Sequence, residues 1–373
     1  VELGNPDGFH VLWRRAVGKG YSGVSVHGDR AATMMSIGEA DCVVMLDAKT
    51  GGEQWRHRIE ENYPRRVGAM DWPVSTPAID EDGVYAISPR GMLLCLEAAD
   101  GALRWAIDLK ERFGAREPFY GFATSPLLEG DRLIVQVGRR SEADDRGAED
   151  GSSLVAMDRR TGKMLWRAEP GWTIYTSPTA ATLCGVRQVV VQSAIRVFAV
   201  RMDDGSLLWE FPLSAGGYWT PLAIEGDRVF VSADARSMML QVSRSGSTWR
   251  AEQIWSTPRM GGVVNPVVYH DGMILGANSV NSRRLTAVDA ETGKLLWVRR
   301  HDAIPLLVGE WLLVLADRAG TLHLGRPTRE GFSPMAEWRL FVPEGNARVE
   351  SPMAFADGVL YVRRETEILA VGF

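Results

Sequence analysis

Ala287-Val288-Asp289-Ala290-Glu291-Thr292-Gly293-Lys294-Leu295-Leu296-Trp297 is the stretch on which the fold reading turns. Its first residues alternate apolar and polar as a half-buried strand does, Thr292-Gly293 supplies a tight turn tolerant of positive φ, and a second strand ends in Trp. Leu46-Asp47-Ala48-Lys49-Thr50-Gly51-Gly52-Glu53-Gln54-Trp55 is the same motif. Three more copies keep Gly four residues before Trp: Gly101 with Trp105, Gly162 with Trp166, and Gly205 with Trp209. The motif is a hairpin, and the chain repeats it.

A second motif lies between the copies. Ser125-Pro126-Leu127-Leu128-Glu129-Gly130-Asp131-Arg132-Leu133-Ile134-Val135 aligns without gaps on Thr220-Pro221-Leu222-Ala223-Ile224-Glu225-Gly226-Asp227-Arg228-Val229-Phe230. The frame recurs at Pro77, Pro178, Pro266, Pro305 and Pro352, with Gly23 in the proline position of a degenerate copy. Each of these eight starts, paired with the next Trp, makes a unit of four short strands. Trp55, Trp105, Trp166, Trp209, Trp255, Trp297 and Trp338 close seven units; the eighth runs from Pro352 to Phe373 without one. Trp13 precedes the first start and supplies the missing residue.

That permutation predicts an all-β, eight-bladed β-propeller of four-stranded antiparallel blades, with an N-terminal strand over residues 9–14 completing the last blade. An open solenoid has no need of a permuted final unit. The whole chain, 1–373, reads as one propeller domain, and the eight Trp are expected to pack their indoles between neighbouring sheets. Arg201 replaces the motif Asp in the fourth unit. The fifth and seventh units replace the Thr-Gly turn with 243–246 and 326–331, which predicts longer outer hairpins there.

The run 287–297, together with Gly20-Tyr21-Ser22, 120–126 and 351–362, resembles the pyrroloquinoline-quinone-like (quinoprotein alcohol dehydrogenase-like) β-propeller repeat proteins. The resemblance covers essentially the whole chain and extends to the propeller lipoprotein of the outer-membrane β-barrel assembly complex. It implies a periplasmic or otherwise extracytoplasmic bacterial protein, since signal peptides are usual in that group. It says little about activity, because the repeated residues are those that build blades.

Composition narrows the function classes. The 373 residues carry 42 Lys+Arg against 47 Asp+Glu, a formal charge of −5, so no net positive field gathers phosphates and nucleic acid is not expected as a partner. No apolar run is long enough for a transmembrane segment. Val1-Glu2-Leu3-Gly4-Asn5-Pro6 has neither a Met nor an apolar leader core and reads as trimmed. Cys42, Cys95 and Cys184 form no CxxC, and the six His, at 10, 27, 57, 270, 301 and 323, show no metal spacing, so no metal site is expected. The acidic run 142–151 lacks the order of a calcium loop and reads as a solvated connection inside the third blade.

In a propeller the segment leading into each innermost strand, and the turn between the second and third strands, lie at one mouth of the channel. Those segments hold Arg65, Arg66, Asp71, Trp72, Tyr120, Trp172, Tyr175, Tyr218, Trp219, Arg259, Asn265, Arg348 and Glu350. Aromatic rings and arginines together suit a planar anion, a sugar ring or a peptide through stacking and bidentate hydrogen bonds. The alternative is that the aromatics plug the channel and the arginines pair with Asp71 and Glu350. The expectation is a monomeric, non-enzymatic propeller with no cofactor that binds a protein, peptide or glycan. The competing reading is a small quinoprotein-type oxidoreductase, or another carbohydrate-active enzyme. By family resemblance that reading would take pyrroloquinoline quinone on Trp219 or Trp172. Ca²⁺ would be held by Asn265, Glu350 or Asp71, and Arg65 or Arg66 would face the quinone carboxylates.

Overall fold

A computed structural model gives the architecture. It describes the chain except residues 1–7, 64–71, 119, 138–151, 171–174, 194, 214–221, 234–235, 261–265, 278–283, 303, 317–319 and 343–350. The strands form eight four-stranded antiparallel sheets, the blades of an eight-bladed β-propeller. Blades one to seven span 25–61, 78–108, 127–170, 179–212, 223–257, 268–302 and 304–339, each a simple meander. Blade eight takes Ala354–Ala356, Val359–Arg364 and Glu367–Gly372 from the C-terminus and His10–Ala16 from the N-terminus as its outer strand. The closing strand begins one residue later and runs two residues further than its pattern suggested.

The blades fall into two compact units, one holding blades one, two, three and eight, the other blades four to seven. In the first unit the apolar clusters lie between successive blades. One joins Trp13, Tyr361 and Ile368 of blade eight to Ala31, Met35 and Val44 of blade one; others join blades one and two, and two and three. In the second unit the same pattern joins four to five, five to six and six to seven. The two middle strands of each blade are buried on both faces and read as apolar runs, such as Leu93-Leu94-Cys95-Leu96. Outer strands alternate with solvent. Each fully buried Leu, Ile or Val adds about 1.5–3 kcal/mol, so the between-blade clusters dominate cohesion within each unit.

The repeated Trp and the repeated Gly are two halves of one contact. Trp13, Trp55, Trp105 and Trp255 each lie on the turn glycine of the next blade. A Cβ on Gly51, Gly101, Gly162 or Gly293 would come within 2.6, 2.5, 3.0 or 2.5 Å of the respective ring. The same indoles donate Nε1–H to the carbonyl three residues before that glycine: Ala48 at 2.9 Å, Ala98 at 3.1 Å, Arg159 at 3.2 Å and Ala290 at 2.8 Å. These glycines sit at φ 70°, 74°, 68° and 67°, where Cβ is strained even without the ring. The motif Asp shapes the turn. The Asp289 carboxylate accepts from the Thr292 N–H at 2.8 Å and the Thr292 hydroxyl at 2.7 Å, and Asp47 and Asp158 repeat both bonds.

Where the motif departs, the contact departs with it. Blade five has no Thr-Gly turn, and Trp209 instead donates to the Gln188 side chain of its own blade at 2.7 Å. Blade five's outer hairpin is indeed long, pairing Ser237–Ser245 with Thr248–Thr257. In blade seven the strands stay short and the connection lengthens instead. Its turn at 328–331 still accepts Trp297 Nε1–H, on Thr328 O at 2.8 Å. One element has no counterpart in the repeat: a short helix, Leu109–Phe113, after blade two. Asp108 caps its N-terminus and Gly114, in the left-handed conformation, its C-terminus.

The seam where the chain closes blade eight against blade one is locked by Arg363. This side chain is 1% exposed and has no carboxylate beside it among the described residues. Its guanidinium donates to Ser22 O (3.0 Å), Thr33 Oγ1 (2.7 Å), Met34 O (2.7 Å) and Gly18 O (3.2 Å). Burial pushes its pKa down to about 9, and the four acceptors keep it charged at neutral pH. Gly20 is required here, because a Cβ would stand 2.5 Å from Arg363 Nη2. Gly23, the non-proline start, donates its N–H to Thr76 Oγ1 at 2.9 Å, a bond proline cannot make.

Candidate functional site

Because each blade is a meander, its lead-in segment, its second turn and the end of its outer strand share one end. Of the residues expected at that mouth, Arg65, Arg66, Asp71, Trp172, Tyr218, Trp219, Asn265, Arg348 and Glu350 lie outside the described residues, as does the acidic run 142–151. Trp72 and Tyr120 are described in the first unit; Tyr175 and Arg259 in the second. Tyr120 is half-buried in a turn after the helix, beside the buried Phe122, whose ring packs on Gly91. Tyr175 is half-buried at the lead-in of blade four. Arg259 is exposed, its backbone N–H on Thr257 Oγ1 at 3.3 Å.

Trp72 is the best defined. Its ring centroid is 5.7 Å from that of Tyr21 at 37°, and the Lys19 ammonium lies 4.9 Å from the ring centroid. The two lead-in segments are tied together, with Tyr21 N–H and Ser22 N–H both on Pro73 O at 2.9 Å. Lys19 is in turn fixed through its backbone, which exchanges two hydrogen bonds with Ser36 (3.1 and 2.7 Å). Beside this group is a cavity of about 590 Å³. Its walls come from the outer strand of blade eight (Arg15, Ala16) and the segment after it (Val17, Gly18, Lys19). The face of blade one (Met35, Ile37, Val44, Glu53, Arg56), Trp72, the polar Ser36, Asn62 and Thr366, and Gly38 complete them. Lys19 and Tyr21 were not singled out in the sequence. The available signal was the frame, since they precede the degenerate start Gly23 as Trp72 precedes Pro77.

A buried acid, Asp41, and a half-buried one, Glu60, also escaped the sequence reading. Asp41 is fully buried and pairs across the ladder with Glu60. The Asp41 carboxylate accepts from the Ser36 hydroxyl and from Tyr63 N–H at 3.3 Å. Burial raises its pKa to about 6 against the lowering by those two donors, and Glu60 adds to the rise. Glu60 is likewise raised by burial; the Ser88 hydroxyl and the Arg90 N–H at 3.4 Å pull it back. Tyr63 donates its hydroxyl to Glu117 at 2.6 Å, so the carboxylates of blade one and of the helix-bearing segment anchor the base of the 64–71 segment. Their oxygens are occupied by protein donors, a structural arrangement. Among the described residues no three His, Cys, Asp or Glu side chains are grouped to hold a metal, and the three cysteines are free thiols.

The fit of a quinone and its calcium turns on Asp71, Trp172, Trp219, Asn265 and Glu350, all outside the described residues.

Comparisons with known proteins agree with this architecture. Residues 39–299 match the family described as outer membrane protein assembly factor BamB. Outer membrane protein assembly factor BamB of Burkholderia pseudomallei is 24% identical over 84% of this chain and 76% of its own length. The namesake in Shewanella oneidensis is 24% identical over 61% of this chain, and there the match spans just 57% of the relative. A polyvinylalcohol dehydrogenase from a Pseudomonas species is 23% identical over 54% of this chain and 38% of that enzyme. Among solved structures, BamB from Moraxella catarrhalis superposes with a TM-score of 0.67 at 14% identity, covering 98% of each chain. The quinohemoprotein alcohol dehydrogenase from Comamonas testosteroni also gives 0.67, at 13% identity, over 77% of that enzyme. At these identities the structural likeness establishes the fold alone.

Proposed function

The chain belongs to the family of outer membrane protein assembly factor BamB, and from that premise we propose that it is a non-enzymatic, extracytoplasmic propeller that holds a protein partner through its channel mouth and between-blade loops. The observation that carries the reading is the family match, which runs through blades one to six and rests on the residues that build them. The geometry supports it. The Trp-on-glycine contact stiffens successive blades, while the lead-in segments bear the arginines and aromatics that favour protein recognition. Arg65, Arg66, Asp71, Trp72, Tyr120, Trp172, Tyr175, Tyr218, Trp219, Arg259, Asn265, Arg348 and Glu350 are the proposed contact residues. The location in the periplasm and the monomeric state belong to the same proposal; no described helix is long and apolar enough to cross a membrane.

Arg65→Glu with Arg66→Glu tests the mouth. The doubly substituted chain is expected to keep its melting temperature and to lose capture of outer membrane assembly proteins identified in a detergent extract. Unchanged capture would remove that segment from the site. The dehydrogenase reading has one specific observation in its favour, the similarity to polyvinylalcohol dehydrogenase. Tryptophan fluorescence titrated with pyrroloquinoline quinone, with and without Ca²⁺, separates the two: a flat titration is expected, and saturable Ca²⁺-dependent quenching would establish the enzyme.

A further inference from the structure

We propose that the cavity between blades eight and one binds a ligand in which a carboxylate is joined to an apolar body, with the carboxylate on Lys19. The proposal deepens the reading of the chain as a binding propeller and rests on it.

Three cations, Arg15, Lys19 and Arg56, line the cavity against one acid, Glu53. That acid is fully committed. It accepts Arg15 Nη2 at 3.0 Å and Arg56 through Nε at 2.5 Å and Nη2 at 2.8 Å, and Arg56 holds it below the usual carboxylate range. The Lys19 ammonium has no ion pair among the described residues and rests on the Trp72 ring. A cation over an indole face is held more weakly than in a charge-assisted hydrogen bond, so an incoming carboxylate outcompetes the ring for it. The described lining of the cavity therefore carries an excess of two positive charges in a chain that is acidic overall.

The remaining walls include an apolar patch of Val17, Ile37, Val44 and the thioether of Met35, which Gly18 N–H fixes at 3.2 Å, beside Ser36, Asn62 and Thr366. About 590 Å³ is the size of a small-ligand site rather than of a lone ion. The polar backbone around it is already spent. Val17 N–H donates to Thr366 O at 2.8 Å, Lys19 pairs with Ser36 through both its N–H and its C=O, and Gly38 O accepts from Asn62 Nδ2 at 2.7 Å. The ligand is therefore read by side chains, its charge by Lys19 and its body by the apolar patch, not by adding a strand. Two sources share that chemistry, the C-terminal residue of a polypeptide and a free organic acid.

Isothermal titration calorimetry of the full chain with N-acetyl-leucyl-phenylalanine, with its C-terminal amide and with 4-phenylbutyrate tests the assignment. The free-acid peptide is expected to bind at one site, the amide at least about tenfold more weakly, and added salt to narrow the gap. Lys19→Met should bring the free acid down to the amide's affinity, and Lys19→Arg should restore it. Because the Lys19 side chain is exposed and its ammonium makes no ion pair among the described residues, both variants should melt with the wild type. Tighter binding of the peptide than of phenylbutyrate assigns the site to a polypeptide end, and the reverse assigns it to a free acid. Equal affinity for acid and amide, no binding of either, or indifference to Lys19→Met would overturn the proposal. A chain that ignores these acids yet still captures assembly proteins would lose the cavity's assignment while keeping the proposed function.

Discussion

At the scale of single residues, the Trp and turn glycine of successive blades make one contact, and substitutions report on it. Gly101→Ala adds a Cβ both at φ 74° and 2.5 Å from the Trp55 ring. The two costs together predict a loss of about 2–4 kcal/mol. Gly130→Ala is the control. It has a similar φ of 56° with no neighbour near, and should lose only about 1 kcal/mol in the same thermal unfolding experiment. Asp41 sets a pH dependence. Its pKa is higher folded than unfolded, so its contribution is complete below about pH 4 and is lost as pH rises through about 6. Melting temperature should fall between pH 5 and 7.5, by the equivalent of roughly 1–1.5 kcal/mol from this group, and Asp41→Asn should flatten the fall. The Trp and Gly were legible in the sequence because one contact repeats at fixed spacing. Asp41 was not, because its character comes from Ser36, Tyr63 and Glu60, which only the ladder brings beside it.

At the scale of elements, each outer strand except that of blade seven slips register just before its Trp. Met45 opposes Trp55 while Leu46 opposes Glu53, and Ala287 opposes Trp297 while Val288 opposes Leu295. This bulge, at Gln54 or Leu296, re-aims the indole toward the neighbouring turn. An alternating pattern with one extra residue cannot display it, which is why strand number was readable and register was not. The helix Leu109–Phe113 was hidden for a similar reason: five residues hold no period, and only its caps define it. The closing strand was readable from the Trp count alone. Deleting residues 1–16 removes the partner of Glu367–Gly372 and the buried Trp13, and should cost several kcal/mol, visible as a lower melting temperature and loss of monomer in size-exclusion chromatography. Arg363→Lys keeps the charge but not the fork that reaches Ser22, Thr33, Met34 and Gly18. A loss of about 2–3 kcal/mol is expected, and a variant as stable as wild type would show that the seam does not depend on the guanidinium.

At the scale of the molecule, fold and function separate. Every repeated residue builds a blade, so the repeat announces the propeller and is silent about what it holds. The residues that differ from blade to blade, in the lead-in segments and second turns, are those proposed to carry recognition, and no contiguous motif can mark them because they are contributed by different blades. Trp72 was named from its place in the frame; Lys19 and Tyr21 hold the same place ahead of the preceding blade, and their packing on Trp72 is what marks them. The central claim is that the mouth end of the blades receives a protein partner. A photo-crosslinking residue placed in living cells at Glu39, in the exposed second turn of blade one, and in parallel at Lys49, in the exposed turn at the opposite end of the same blade, tests it most directly. The account predicts a discrete adduct with an outer membrane assembly protein from position 39 and none from position 49; equal adducts from both, or an adduct only from 49, would contradict it.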